Sequence, residues 1–115
     1  RQLLRRALQR SGRFLVVGEA ADGPAAIEEA LAHQPDIVLL DLMMPTGGGL
    51  EALPGILHAS PDSRVVMLSG YATTDVVNEA LAAGATGFLS KSAPTVVDDL
   101  LEILRGGQVG ARVPE

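Results

Sequence analysis

At 115 residues the chain has room for one domain, and its 47% hydrophobic content is enough to bury one core; the 3% aromatic share leaves that core to Leu, Val, Ile and Ala, as where helices pack on a sheet. The net charge of −5, with Arg1, Arg5, Arg6, Arg10 and Arg13 gathered near the N-terminus and no aromatics among them, argues against direct nucleic-acid binding. The absence of Cys excludes disulfides, thiolate metal sites and cysteine nucleophiles, while no signal peptide and no apolar run of the roughly 20 residues needed to span a bilayer is visible, so the chain reads as cytoplasmic with no membrane partner.

In chain order, Leu3, Leu4, Ala7 and Leu8 recur at helical spacing, predicting a helix from Gln2 to Gln9 that Ser11-Gly12 stops. Phe14 to Glu19 (FLVVGE) is short, apolar and β-branched, and predicts a strand, with Asp22-Gly23-Pro24 turning into the next helix. Ala25 to His33 carries Ile27, Ala30 and Leu31 on one helical face, closed by Pro35. Ile37 to Leu40 (IVLL) is a continuous apolar run ending in Asp41, the mark of a parallel strand covered on both faces. Thr46 to Gly49 reads as a flexible stretch before a helical stripe of Leu50, Leu53 and Leu57; Pro54 inside it fits only if that helix begins near Pro54 or bends. Arg64 to Leu68 (RVVML) is a further buried strand, Val76 to Leu81 a helix ended by Gly84, Thr86 to Leu89 (TGFL) a short strand, and Val96 to Leu104 the final helix before Gly106-Gly107.

This alternation predicts an α/β fold, a doubly wound parallel sheet with helices on both faces and right-handed crossovers. The pattern opens with a helix, so one strand fewer is present than such a sheet has. Residues 1–107 form the expected domain, and 108–115, rich in Gly, Arg and Pro without periodicity, a linker or tail.

In an open parallel sheet the functional crevice lies beyond the C-terminal ends of the strands. The strand ends deliver Asp41, Ser69 and, just past the last strand, Lys91: a carboxylate, a hydroxyl and an ammonium. Each alone has a plain structural use. An Asp at a strand end caps loops, Ser-Gly makes turns, and most loop lysines are solvated. Together they suit a charge that arrives and leaves, since an ammonium with three donors can pair with the carboxylate at rest and with a phosphoryl oxygen afterwards. Other chemistries fail locally. Lys91 follows Ser90 rather than the glycine of a Walker loop, Ser69 stands between Met67 and Tyr71 rather than the glycines of a hydrolase elbow, and Ala52 occupies the place of the last glycine of a dinucleotide fingerprint. No nucleophile and base pair for a small hydrolase is visible. His33 and His58 stand alone near predicted helix ends, as caps or solvated residues.

Three stretches resemble response regulator receiver domains, flavodoxin-like phospho-acceptors of two-component signalling. VLLDLMMP (Val38 to Pro45) is similar to the phosphorylation-site motif, VVMLSG (Val65 to Gly70) to the switch-hydroxyl motif, and AAGATGFLSK (Ala82 to Lys91) to the segment ending in the family's lysine. The resemblance implies that Asp41 takes a phosphoryl group from a sensor histidine kinase, that Ser69 closes on it, and that Lys91 neutralises part of its charge. It further implies that Phe88 is the aromatic that turns inward on switching, that the Met43 backbone carbonyl is a ligand of Mg2+ beside Asp41, and that Met43 and Tyr71 modulate the lifetime of the phosphoryl group. It makes the protein regulatory rather than an enzyme in the ordinary sense, beyond assisting its own phosphotransfer and dephosphorylation.

Receivers carry an acidic, metal-holding pair after their first strand. This chain starts at Arg1, inside what looks like the first helix, so that strand and that pair are expected to be missing together, with Glu19 and Asp22 poor substitutes. With so few hard oxygen ligands, magnesium affinity and phosphorylation of the chain as given are expected to be poor. Ser92 in place of the usual proline, Pro94 and the ending LLEILRGG are more similar to regulators with a helix-turn-helix output domain, so DNA is expected as a partner only through such a domain. A homodimer through the helix from Asp75 to Ala83 is a further expectation. The alternative is a receiver-like interaction module that works without phosphorylation.

Overall fold

The computed structural model describes residues 2–42, 49–69, 74–90 and 96–104. Among these residues five helices and three strands follow in the order α1 (Gln2–Arg10), α2 (Gly23–His33), β1 (Ile37–Asp41), α3 (Gly49–Ala59), β2 (Arg64–Ser69), α4 (Thr74–Ala82), β3 (Gly87–Ser90) and α5 (Val96–Leu104). The strands are parallel in the order β1-β2-β3, with Ile37 level with Arg64, Asp41 with Leu68, and Ser69 with Ser90.

The continuous apolar runs are explained by burial on both faces. Side chains alternate across a strand, so Leu40, Val65, Met67 and Phe88 fall on one face, where they pack with Ala30 of α2, Ala52, Leu53 and Ile56 of α3, and Val77 and Ala80 of α4. Val66, Leu68 and Leu89 fall on the other, against Leu8 of α1 and Leu100 and Ile103 of α5. This is the doubly wound arrangement expected, with α2, α3 and α4 on one side and α1 and α5 on the other.

The helix ends follow local chemistry. Asp22 caps α2, its carboxylate accepting from the Ala25 N–H at 2.9 Å, with Pro24 in the first turn where no backbone donor is needed. Gly12 and Gly84 follow α1 and α4 at φ of 71° and 110°, the left-handed backbone that ends helices.

Three expectations are corrected. Phe14 to Glu19 is not a strand. Its alternation survives, with Phe14 and Val16 packed on the α1/α5 side and Leu15 and Val17 exposed, but a strand requires a ladder partner, and among the described residues β1 pairs only with β2. The helix carrying Pro54 neither waits for it nor begins near it: α3 opens five positions earlier, at Gly49. Pro54 forgoes the bond to the Leu50 carbonyl, and complete burial of Leu53 and Ile56 offsets that loss. Gly49 therefore belongs to a helix rather than to a flexible stretch.

Candidate functional site at the C-terminal edge of the sheet

Because the strands are parallel and in register, their C-terminal ends share one edge. Asp41 is the last residue of β1 and is half-buried, and the ladder runs one step beyond it, the Leu42 N–H donating to the Leu68 carbonyl at 2.9 Å. Ser69 ends β2 level with Ser90, which ends β3 and immediately precedes Lys91 in sequence. Adjacent strands lie about 4.8 Å apart, so the backbones of β1 and β3 are separated by about 10 Å across β2. A carboxylate, the backbone that bears a hydroxyl, and the strand that leads to an ammonium thus meet at one rim. The Ser69 side chain, Lys91, Met43 and Tyr71 lie outside what the structure describes.

Phe88 lies on β3 beside Met67 and is buried in the cluster with α2, α3 and α4. Its ring is therefore inward in this structure. Glu19 and Asp22 are engaged elsewhere: Glu19 pairs with Arg5 of α1, and Asp22 caps α2. His33 ends α2 and lies 3.4 Å from Glu29, one helical turn back, and so does not stand alone; His58 is in the last turn of α3. Among the described residues no group of three or more His, Cys, Asp or Glu could hold a metal ion. The Asp41 carboxylate is one hard oxygen donor, and by itself it does not make a magnesium site.

Reading the residues one at a time misses Gly49. It opens α3 against the end of β1, and its N–H donates to the Leu42 carbonyl at 3.2 Å. The signal for it was the glycine run itself, ending eight positions after Asp41.

Comparison with known proteins bears on what such an edge is for. The sequence profile of the response regulator receiver domain matches residues 1–105. The chain belongs to this family. Receiver domains are the phospho-accepting modules of two-component response regulators, which interact with histidine kinases and act on DNA through output domains. This receiver is 38% identical over 96 residues to the transcriptional regulatory protein LnrK of Bacillus subtilis, covering 82% of this chain and 44% of that protein. The chain spans about half the length of the curated relatives it matches, or slightly less.

Its fold matches the signal receiver domain of the response regulator NarL from Mycobacterium tuberculosis with a TM-score of 0.82 at 37% identity, over 91% of this chain and 86% of that one. A response regulator from Burkholderia pseudomallei, solved with a phosphorylated aspartic acid, a calcium ion and citrate, matches with a TM-score of 0.76 at 27% identity, over 90% of this chain and 61% of that one. The family favours the phospho-accepting reading over a module that works without phosphorylation. No helix among the described residues is long and apolar enough to cross a membrane.

Proposed function

We propose that Asp41 is the phospho-acceptor of this receiver domain and that Ser69 and Lys91 act on the phosphoryl group it takes. The observation that carries the reading is the position of Asp41: a half-buried carboxylate ending a parallel strand, at the sheet edge that also receives the end of β2 and the strand leading into Lys91. The phosphorylated aspartic acid of the Burkholderia structure supports it by family likeness. A carboxylate oxygen of Asp41 attacks the phosphorus of a phosphohistidine on a sensor kinase. The O–P bond forms as the P–N bond breaks, and the imidazole nitrogen leaves with the electron pair.

Phosphoryl transfer of this kind needs positioning and charge neutralisation more than covalent help. Lys91, a compact cation, neutralises part of the oxyanion charge, and the Ser69 hydroxyl donates to a phosphoryl oxygen. We assign the Asp41 carboxylate and the Met43 carbonyl as the share of a divalent cation's ligands that this chain carries, and Tyr71 as a neighbour that modulates phosphoryl lifetime. Phe88 is the switch residue, its buried ring being one of two packings between which phosphorylation shifts the population.

Residues 108–115 then lead as a linker toward a DNA-binding output domain, the sensor kinase is the upstream partner, and self-association through α4 is the step that output would use. The test is phosphotransfer to the full-length protein from acetyl phosphate or a phosphorylated kinase. A base-labile acyl phosphate on the wild type and its loss in Asp41→Asn are expected. Equal labelling of Asp41→Asn, or output unchanged by that substitution, sinks the reading.

A further inference from the structure

The start of α3 lies directly on the backbone of Asp41. A Cβ built on Gly49 would fall 2.2 Å from the Asp41 carbonyl oxygen and 2.9 Å from both its carbonyl carbon and the Leu42 Cα. All three are backbone atoms, so no rotamer change could relieve the contact, and the hydrogen bond from the Gly49 N–H to the Leu42 carbonyl holds the two segments together. The backbone of Gly49 is not in the left-handed region, and glycine is a poorer helix residue than alanine. Neither conformation nor helix propensity accounts for glycine here; the close approach does.

From this we infer that Gly49 is a positioning residue for phosphoryl transfer: by lacking a side chain it lets α3 seat against the end of β1 and so sets where the Asp41 carboxylate stands. The inference rests on the reading of Asp41 as phospho-acceptor. A methyl at this position has to move backbone by about 1 Å to reach ordinary contact, and a misplacement of about 1 Å can cost on the order of 100-fold in rate.

Gly55 supplies the comparison, since a Cβ there would also be crowded, at 2.6 Å, but by the movable end of the Ile27 side chain between α2 and α3. In the full-length protein, Gly49→Ala is expected to lower the maximal rate of labelling by acetyl phosphate tens-fold to about 100-fold. The donor concentration for half-maximal rate is expected to stay and unfolding to remain cooperative at a lowered midpoint, since the displaced backbone costs about 1–3 kcal/mol, while Gly55→Ala labels within about threefold of wild type. A merely structural role for Gly49 would lower the thermal transition alone and leave the maximal rate of the folded fraction at the wild-type value.

Labelling of Gly49→Ala within about threefold of wild type overturns the inference, as does an equal loss in Gly55→Ala. So does a Gly49→Ala chain that stays unfolded even in trimethylamine N-oxide, because the glycine would then serve the fold as a whole. Should wild type and Asp41→Asn label alike, the phospho-acceptor reading itself fails and the inference goes with it, an outcome distinct from failure at Gly49 alone.

Discussion

The two ends of the parallel sheet are finished in different ways. At the N-terminal end, polar side chains tie the connections together: the Gln34 amide donates to the carbonyls of Ala30, Leu31 and Ala59 at 3.3, 3.1 and 2.7 Å. The buried hydroxyls of Ser60 and Ser63 lie 2.6 Å apart, and Ser63 donates on to the Pro35 carbonyl. The Arg64 guanidinium reaches the Leu104 carbonyl at 2.9 Å, anchoring the start of β2 to the end of α5. At the C-terminal end two backbone hydrogen bonds join the segment that leaves β1 to its neighbours, from the Leu42 N–H to the Leu68 carbonyl and from the Gly49 N–H to the Leu42 carbonyl. Polar side chains close one end of the scaffold, while the other, where Asp41 ends β1 beside the ends of β2 and β3, is the edge at which open parallel sheets carry their crevices. On the proposed function, side-chain ties and chemistry lie at opposite ends.

That separation is breakable by experiment. The largest expected effect belongs to the C-terminal end: Asp41→Asn should bring acyl phosphate labelling to background while leaving cooperative unfolding in place, read by labelling and thermal melts on the same samples. Ser63→Ala should do the reverse. It removes the donor to the Pro35 carbonyl and takes the Ser63 partner from the hydroxyl of Ser60, a residue 1% exposed, a loss of about 1–3 kcal/mol. Urea unfolding should show a lower midpoint at unchanged slope, with the labelling rate of the folded protein within about threefold of wild type. A parallel fall in labelling would show that the two ends are coupled rather than separate.

Much of this was legible in sequence, and the failures share a cause. Ile37 to Leu40, Arg64 to Leu68 and the helical stripes could be read because burial on both faces, or on one helical face, imposes a local period. Asp41 could be placed at the rim because it ends such a run. Phe14 to Glu19 has the strand pattern without the strand, since pairing depends on a neighbour that a local pattern does not contain. Of the two fits Pro54 allowed, a helix that begins near it or one that bends, the first is excluded because the burial of Ala52, Leu53 and Ile56 is a tertiary fact that extends α3 back to Gly49. Gly49 was invisible as a functional residue for a similar reason: its use is an approach to a backbone eight positions earlier, which only folding creates.

The smallest expected effect sharpens the comparison most, because it separates side-chain tying from backbone strain at one residue. Gln34 follows α2 at φ 45° and ψ 56°, a left-handed conformation that a residue with a Cβ adopts at a cost of about 1 kcal/mol. Its amide satisfies carbonyls at the ends of both α2 and α3. Gln34→Ala keeps the strain and loses those bonds, which water can partly replace at this exposed position, so a loss of about 1 kcal/mol is expected. Gln34→Gly loses the same bonds but relieves the strain, and should unfold close to the wild-type midpoint. If both variants fall equally, backbone strain contributes nothing there and the amide accounts for the whole effect. If the glycine variant is clearly more stable than wild type, the amide bonds contribute little, and the claim that side chains tie this end together loses its best example.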